Sequence, residues 1–262
     1  MDMFENPPVV IAMIHLPPLP GSPLYEGDIQ HCIERVQKDY TALKEGGITA
    51  VLIENFWDVP YFKDPVGPET IAWMTKIISC LPLDIPFGVN VLRNDTKAAL
   101  AIAHATGGSF IRCNILSGTL LTDQGMVEGT SASIMRYRKH LDAPIKVYAD
   151  VLVKHAYPFS SMSLKAVARD TAYRALADAL IVTGSRTGDQ PLLEDVKAVK
   201  AAVPDKPILA GSGVTVENID SLMGLVDGFI VGTALKKEGN IENPVDVSRV
   251  KAFMKKCDAS IC

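Results

Sequence analysis

The chain has 262 residues, of which 48% are hydrophobic and 21% are charged, and its formal net charge is −4 at pH 7. This composition is ordinary for a globular protein and excludes a disordered chain, a collagen and a coiled coil. The weakly acidic balance offers no basic excess for a phosphate backbone, so we expect no nucleic-acid partner. At about 150 residues per domain the length allows one or two domains, and a single α/β barrel of about 250 residues fits equally well.

Cysteine usage and the first residues indicate a reduced, cytoplasmic protein. The cysteines are Cys32, Cys80, Cys113, Cys257 and Cys262. Because their number is odd and no two are spaced as CxxC, we expect neither a disulfide framework nor a structural zinc site. Residues 1–6 carry two acids and no Lys or Arg, which is not typical of a signal peptide. The apolar run at 9–14 is far too short to span a bilayer, so we expect no membrane span.

Eight short apolar segments rich in β-branched residues recur along the chain, each about as long as a strand. They cover residues 9–16, 49–56, 85–92, 110–116, 145–151, 179–184, 207–213 and 228–235. Each is followed by a segment with the apolar periodicity of an amphipathic helix. These helical segments cover residues 28–45, 69–79, 96–105, 130–141, 164–175, 192–202, 216–223 and 245–255. Strict alternation of strand and helix predicts a parallel sheet.

Eight such units in about 250 residues favour one closed (β/α)8 TIM barrel with parallel strands, forming a single domain over residues 1–262. An open doubly wound sheet is the alternative, and it would normally carry a GxGxxG turn after the first strand. Here that turn contains Pro17, Pro18 and Pro20, which have no backbone N–H to offer a phosphate. Nothing in the composition marks a linker or a second domain.

Polar side chains lie close to the carboxyl ends of the predicted strands, where a barrel carries its active site. Barrel strands are buried on both faces, so a polar residue there has either a ligand or a buried polar partner, and each residue alone could be the latter. We assign catalysis to Glu54 and Asp150, because carboxylates in a partly desolvated mouth can exchange protons with a substrate. The substrate-binding candidates at the same rim are His15, Asn55, Asn90, Arg112, Asn114 and Thr183.

Two loops after predicted strands add charged candidates. Lys154 could act as an electrostatic clamp or a Schiff-base amine, and His155 could transfer protons or hold a hydroxyl. In the loop at 183–189, Arg186 could close over a bound anion as a substrate-binding residue. For both loops the alternative is a plain solvated surface. No HExxH, Cys cluster, GxSxG or Walker motif is present, so we expect no metal and no cofactor. The alternative is that Glu54, Asp150 and His155 gather an ion.

Two glycine-containing turns near the C-terminus predict a phosphate site. Many barrels bind phosphate with the loops after the seventh and eighth strands and the N-terminus of a short helix, because glycine lets the backbone approach the anion. Thr215 is the expected N-cap of that helix. The alternative is that the glycines only form tight turns. The predicted phosphate-binding residues are Gly211, Ser212, Gly213, Gly232 and Thr233.

A series of short motifs extends over nearly the whole chain, from residue 11 to residue 250. The motifs are HLPPLPG at 15–21, EN at 54–55, DVP at 58–60, FIR at 110–112 with Asn114, TDQG at 122–125, VKH at 153–155, TG at 183–184 and 187–188, GSGVT at 211–215, DG at 227–228 and GT at 232–233. In their order and spacing they resemble the BtpA/SgcQ family, which is related to the ribulose-phosphate-binding barrels. The resemblance implies a barrel with a phosphosugar-like ligand. One branch of the family is linked to photosystem I biogenesis and another to predicted sugar utilisation.

We therefore expect an enzyme that acts on a small anionic substrate, a phosphorylated sugar or a nucleoside-like compound, by acid–base chemistry. Isomerisation, lyase cleavage and glycosyl or phosphoribosyl transfer all stay open, because each can use this set of residues. The alternative is a non-catalytic biogenesis or assembly factor that uses the barrel as a scaffold and shows a large exposed apolar patch. Barrels often pair, so a homo-oligomer also stays open.

Overall fold

The structure is a computed structural model that describes residues 3–5, 7–63, 65–153, 155–158, 162–184 and 190–259. Its strands are β1 (Val9–His15), β2 (Ala50–Glu54), β3 (Phe87–Asn90), β4 (Phe110–Cys113), β5 (Thr119–Thr122), β6 (Gly125–Glu128), β7 (Lys146–Asp150), β8 (Ala156–Pro158), β9 (Ala179–Thr183), β10 (Ile208–Gly211) and β11 (Gly228–Val231). Eight of them close into a parallel barrel in the order β1-β2-β3-β4-β7-β9-β10-β11. Because β11 also pairs with β1, the barrel sheet has no free edge. The predicted (β/α)8 fold is confirmed.

Helices between the barrel strands pack their apolar faces on the outside of the barrel. They are α1 (Ile29–Glu45), α2 (Pro68–Ser79), α3 (Thr96–Thr106), α4 (Ser131–His140), α5 (Leu164–Arg169), α6 (Leu193–Ala202) and α7 (Val247–Ala259). Two of them begin at an aspartate whose side chain accepts a backbone N–H of the first turn, Asp28 for α1 and Asp95 for α3. A π-helical turn, Asp170–Arg174, extends α5. None of the described helices is long and apolar enough to cross a membrane.

The connection between β10 and β11 differs from the prediction. The helix expected at 216–223 is wrong, since this segment contains only a 3₁₀ turn, Ile219–Ser221. The Asn218 side chain accepts from the backbone N–H of Thr215 at 2.9 Å and donates to the carbonyl of Gly213 at 2.7 Å. These side-chain bonds hold the backbone in an irregular loop and compete with helix formation. The glycine turn after β10 is therefore not followed by the expected helix N-terminus.

The lower half of the barrel interior, at the amino-terminal ends of the strands, is apolar and closed. The rings of Phe110 and Tyr148 stack there with centroids 4.8 Å apart. Below them Phe4, from the 3₁₀ turn Met3–Glu5, packs its ring 5.7 Å from that of Tyr148. Gly88 makes room for this stack, because a Cβ atom there would lie 2.3 Å from the Phe110 ring. Aromatic packing thus seals the floor of the barrel.

Strands β5, β6 and β8 form a second, antiparallel sheet in the order β6-β5-β8, called the small sheet below. The turn at 123–124 joins β5 to β6, and Thr122 fixes it by accepting from the Gln124 N–H at 3.2 Å and donating to the Gly125 carbonyl at 2.9 Å. Gly125 has a φ of +93°, which suits glycine. This sheet was not expected from the sequence.

A buried ion pair ties α1 to the segment between β11 and α7. Lys236 Nζ donates to Asp39 Oδ2 at 2.7 Å, and both side chains are at most 3% exposed. The other oxygen of Asp39 accepts from the Val245 N–H at 2.8 Å. Burial lowers the pKa of Lys236, and the charge of Asp39 opposes this change. The pair holds residues 236–245 against the barrel.

Replacing Asp39 with alanine should lower the free energy of unfolding by about 3–5 kcal/mol, because Lys236 is left charged and buried without its partner. Urea unfolding followed by circular dichroism measures the change. The control is Lys44→Met, which breaks the exposed pair with Asp84 and should leave stability nearly unchanged. Equal losses in the two variants would contradict the role of the buried pair.

Candidate functional site

The mouth of the barrel contains a charged network centred on Asp150, at the end of β7. Arg112 donates to it from both Nε (3.1 Å) and Nη2 (2.9 Å), and Asn114 Nδ2 donates at 2.8 Å. The Asp150 side chain has no exposed surface and that of Arg112 is 5% exposed. Burial would lower the pKa of Arg112, but the charges of Asp150 and Glu54 and the hydrogen bonds to Asp150 together outweigh it, so the pKa is raised. Asp150 therefore holds Arg112 charged and in position.

Glu54, at the end of β2, is a carboxylate in the wall of the mouth and is itself only 5% exposed. Its Oε2 accepts from Asn90 Nδ2, at the end of the neighbouring strand β3. Unlike Asp150, it lines both of the cavities described next. The two predicted catalytic carboxylates thus occupy different environments.

The first cavity, of about 210 Å³, lies between the loops that follow β10 and β11. Ser212 and Gly213 have φ values of +67° and +58°, so the backbone turns sharply at the cavity wall. Gly232 is closely approached by His15, whose ring would lie 3.1 Å from an added Cβ atom. Gly211 forms the end of β10 just before this turn. The predicted phosphate residues in the cavity wall are Ser212, Gly213, Gly232 and Thr233.

The wall of the first cavity also includes a cationic side chain that was not expected from the sequence. Arg249, near the start of α7, lines the cavity, and its Nε donates to the Ala234 carbonyl at 2.8 Å. That bond anchors an otherwise exposed guanidinium beside the loops that follow β10 and β11, which are called the glycine loops below. No local signal marks Arg249, because it lies on an ordinary amphipathic helix.

The second cavity, of about 610 Å³, lies between the barrel mouth and the small sheet. Both cavities are lined by Glu54, Phe56 and Arg112, so they adjoin each other at the barrel mouth. Arg93, directly after the predicted strand 85–92, is a second buried arginine that the sequence analysis missed. Burial lowers its pKa, and the nearby charges of Asp150 and Asp123 oppose this change. The polar residues in the wall of the second cavity are Glu54, Tyr61, Arg93, Arg112, Asn114, Thr122, Asp123, His155 and Tyr157.

Asn55 lies outside both cavities and connects three loops. Its Oδ1 accepts from the Leu92 N–H at 2.7 Å, and its Nδ2 donates to Asp58 at 3.2 Å. Asp58 in turn accepts from the Leu19 N–H at 2.8 Å, and burial raises the pKa of Asp58. Only 1% of the surface of Asn55 is exposed, and its amide links the loops that follow β1, β2 and β3.

The remaining predicted residues divide into those at the mouth and those away from it. His15 lines the first cavity and His155 the second. Thr183 donates to the Leu152 carbonyl at 3.1 Å and lines neither cavity. Lys154 and Arg186 lie outside the described residues. Within the described ranges no group of three His, Cys, Asp or Glu side chains could hold a metal ion.

Comparison with solved structures agrees with the closed-barrel class. A structure described as native KDPGal superimposes with a TM-score of 0.60 at 18% identity, covering 98% of each chain. KGPDC from Streptococcus mutans in complex with D-ribose 5-phosphate gives a TM-score of 0.55 at 13% identity, covering 96% of this chain and 98% of that one. At these identities the likeness shows the fold alone.

The chain belongs to the BtpA family, whose model matches residues 6–259. It is 42% identical over 261 residues to the photosystem I biogenesis protein BtpA of Synechocystis sp., covering 97% of this chain and 90% of that protein. It is 36% identical over 252 residues to the putative sgc region protein SgcQ of Escherichia coli, covering 94% and 93%. The resemblance drawn from the sequence motifs is confirmed.

The two carboxylates should respond differently to loss of charge. Asp150→Asn should lower the free energy of unfolding by about 3–5 kcal/mol, because the buried Arg112 then loses its bidentate charged partner. Glu54→Gln should cost less than about 1.5 kcal/mol, because the amide oxygen still accepts from Asn90. Urea unfolding of both variants checks this, and a larger loss in Glu54→Gln would contradict the division of roles.

Proposed function

We propose that this protein is an enzyme that acts on a small phosphorylated sugar or nucleoside-like compound by acid–base chemistry. One observation carries the proposal: Glu54 lines both the cavity of the glycine loops and the larger cavity beneath the small sheet. A ligand with its phosphate in the first cavity would extend past this carboxylate into the second. The reacting part of the ligand would then lie within reach of Glu54.

The first cavity has the chemistry of a phosphate subsite. Its turns at Ser212–Gly213 and Gly232 bring backbone close to the cavity, Thr233 offers a hydroxyl, and Arg249 offers a positive charge. The fold favours this place as well, because barrels often bind phosphate with the loops after their last two strands. The solved barrel in complex with D-ribose 5-phosphate supports a phosphorylated ligand for this one.

The second half of the proposal concerns proton transfer. Glu54, held by Asn90, is the general acid or base, and His155 is the second proton-transfer candidate in the mouth. Arg112, fixed by Asp150, supplies a preorganised positive charge for negative charge that develops on the substrate. Isomerisation, lyase cleavage and group transfer can all use these groups.

A scaffold in assembly is the second candidate function. Large apolar side chains are exposed on the small sheet, where Leu121 is 47%, Met126 49% and Tyr157 69% exposed. The Synechocystis relative is named a photosystem I biogenesis protein. If the protein is a scaffold, small phosphorylated compounds should not bind saturably at the barrel mouth. The proposed enzyme must bind them saturably.

Arg249→Gln should weaken binding of inorganic phosphate about tenfold, because one charge-assisted hydrogen bond is lost. Isothermal titration calorimetry measures the affinity. Lys251→Gln is the matched control, since Lys251 lies on the same helix but pairs with Glu45. Equal affinities in wild type and Arg249→Gln would remove Arg249 from the site, and a wild type that binds no phosphate would refute the phosphate subsite.

Glu54→Gln should lower turnover by about 100-fold or more while leaving phosphate affinity within about twofold, because it removes the proton-transfer group but not the phosphate subsite. Mass spectrometry of a panel of sugar phosphates and nucleotides incubated with each protein measures product formation. Product formed at equal rates by the two proteins would exclude Glu54 as the acid or base.

A further inference from the structure

The turn of the small sheet brings a carboxylate to the barrel mouth. Asp123 follows β5 and lines the second cavity together with Glu54 and Arg93. Thr122 holds the backbone of this turn by bonding both Gln124 and Gly125, and the exposed Asp123 carboxylate accepts from Gln124 Nε2. This side chain has no place in the acid–base chemistry proposed above, although the TDQG motif stands out in the sequence.

Asn114 lies in the wall of the same cavity and has a buried acceptor oxygen. Its Nδ2 donates to Asp150, and since a carboxylate only accepts hydrogen bonds, this contact fixes which way round the amide lies. Asn114 Oδ1 is then buried with no hydrogen-bond partner among the described residues. Leaving a buried acceptor unsatisfied costs about 1–3 kcal/mol, so a donor on a ligand would be stabilising there.

The charges around the second cavity differ from those around the first. Among the described residues of the cavity wall, the carboxylates of Glu54 and Asp123 lie with two arginines, Arg93 and Arg112. The Arg112 guanidinium already pairs with the buried Asp150. The charge of Asp123 acts to raise the pKa of Arg93, so the two groups are close enough to interact. An additional anion in this cavity would be repelled, whereas Arg249 attracts one to the first cavity.

We propose that Asp123 is a specificity-determining residue. Together with Asn114 and Glu54 it selects ligands whose end remote from the phosphate carries hydroxyl or amino hydrogens and rejects those with a second anionic group. The inference rests on the proposed function, since the phosphate must occupy the glycine loops for the other end to reach the small sheet. The small sheet then supplies one side of the recognition site.

Two ligands of equal length test whether the site accepts a neutral end and rejects an anionic one. Sorbitol 6-phosphate and 6-phosphogluconate share a six-carbon chain, but the end remote from the phosphate is a hydroxymethyl group in one and a carboxylate in the other. Wild type should bind sorbitol 6-phosphate at least about tenfold more tightly by calorimetry. Asp123→Asn should bind sorbitol 6-phosphate more weakly and 6-phosphogluconate more tightly, so that the preference falls by about tenfold or more, with inorganic phosphate unchanged.

Glu128→Gln is the matched control, because Glu128 is an exposed carboxylate on β6 that does not line the second cavity. It should keep all three affinities. An unchanged preference in Asp123→Asn, or a wild type that favours 6-phosphogluconate, overturns the inference while phosphate binding keeps the proposed function intact. A wild type that binds no phosphate overturns both. If Asp123→Asn does not fold, Asp123→Ser must show the same fall in preference, and its failure to do so also overturns the inference.

Discussion

The buried ion pair between Arg112 and Asp150 separates an apolar barrel floor from a polar mouth. Two charges with almost no exposed surface are tolerated there because the contact is bidentate and Asn114 satisfies a further lone pair. Beneath the pair lie the stacked rings of Phe110 and Tyr148. Above it, Arg112 forms a fixed cationic wall shared by both cavities. The arrangement of the mouth therefore depends on this one contact.

The barrel itself was predictable because its strands are short runs of β-branched and apolar residues separated by helical periodicity. Two elements were not. The segment at 216–223 has apolar spacing compatible with a helix, but the side chain of Asn218 bonds backbone groups of its own loop. The small sheet was missed because its strands have only three or four residues, too few for an alternation to be seen. A TDQG turn between them was the available signal.

The site residues at the ends of predicted strands could be predicted from the sequence. Those that reach the site from a distant part of the chain could not. Strand alternation identified Glu54 and Asp150 equally, and no sequence rule tells which of them faces a cavity. That difference depends on Arg112 and Asn114 meeting Asp150 in three dimensions. Arg249 reaches the glycine loops because α7 packs against the turn Thr233–Leu235, so its neighbours in sequence carry no trace of the contact.

The closed floor has a consequence for molecular traffic. With Phe4 packed beneath Tyr148, the described part of the barrel is a blind well rather than a pore. A substrate and the product made from it would use the same opening, between the glycine loops and the small sheet. For the enzyme proposed above, product that lingers would block the next substrate, so we expect competitive product inhibition whichever residues of the mouth carry the chemistry.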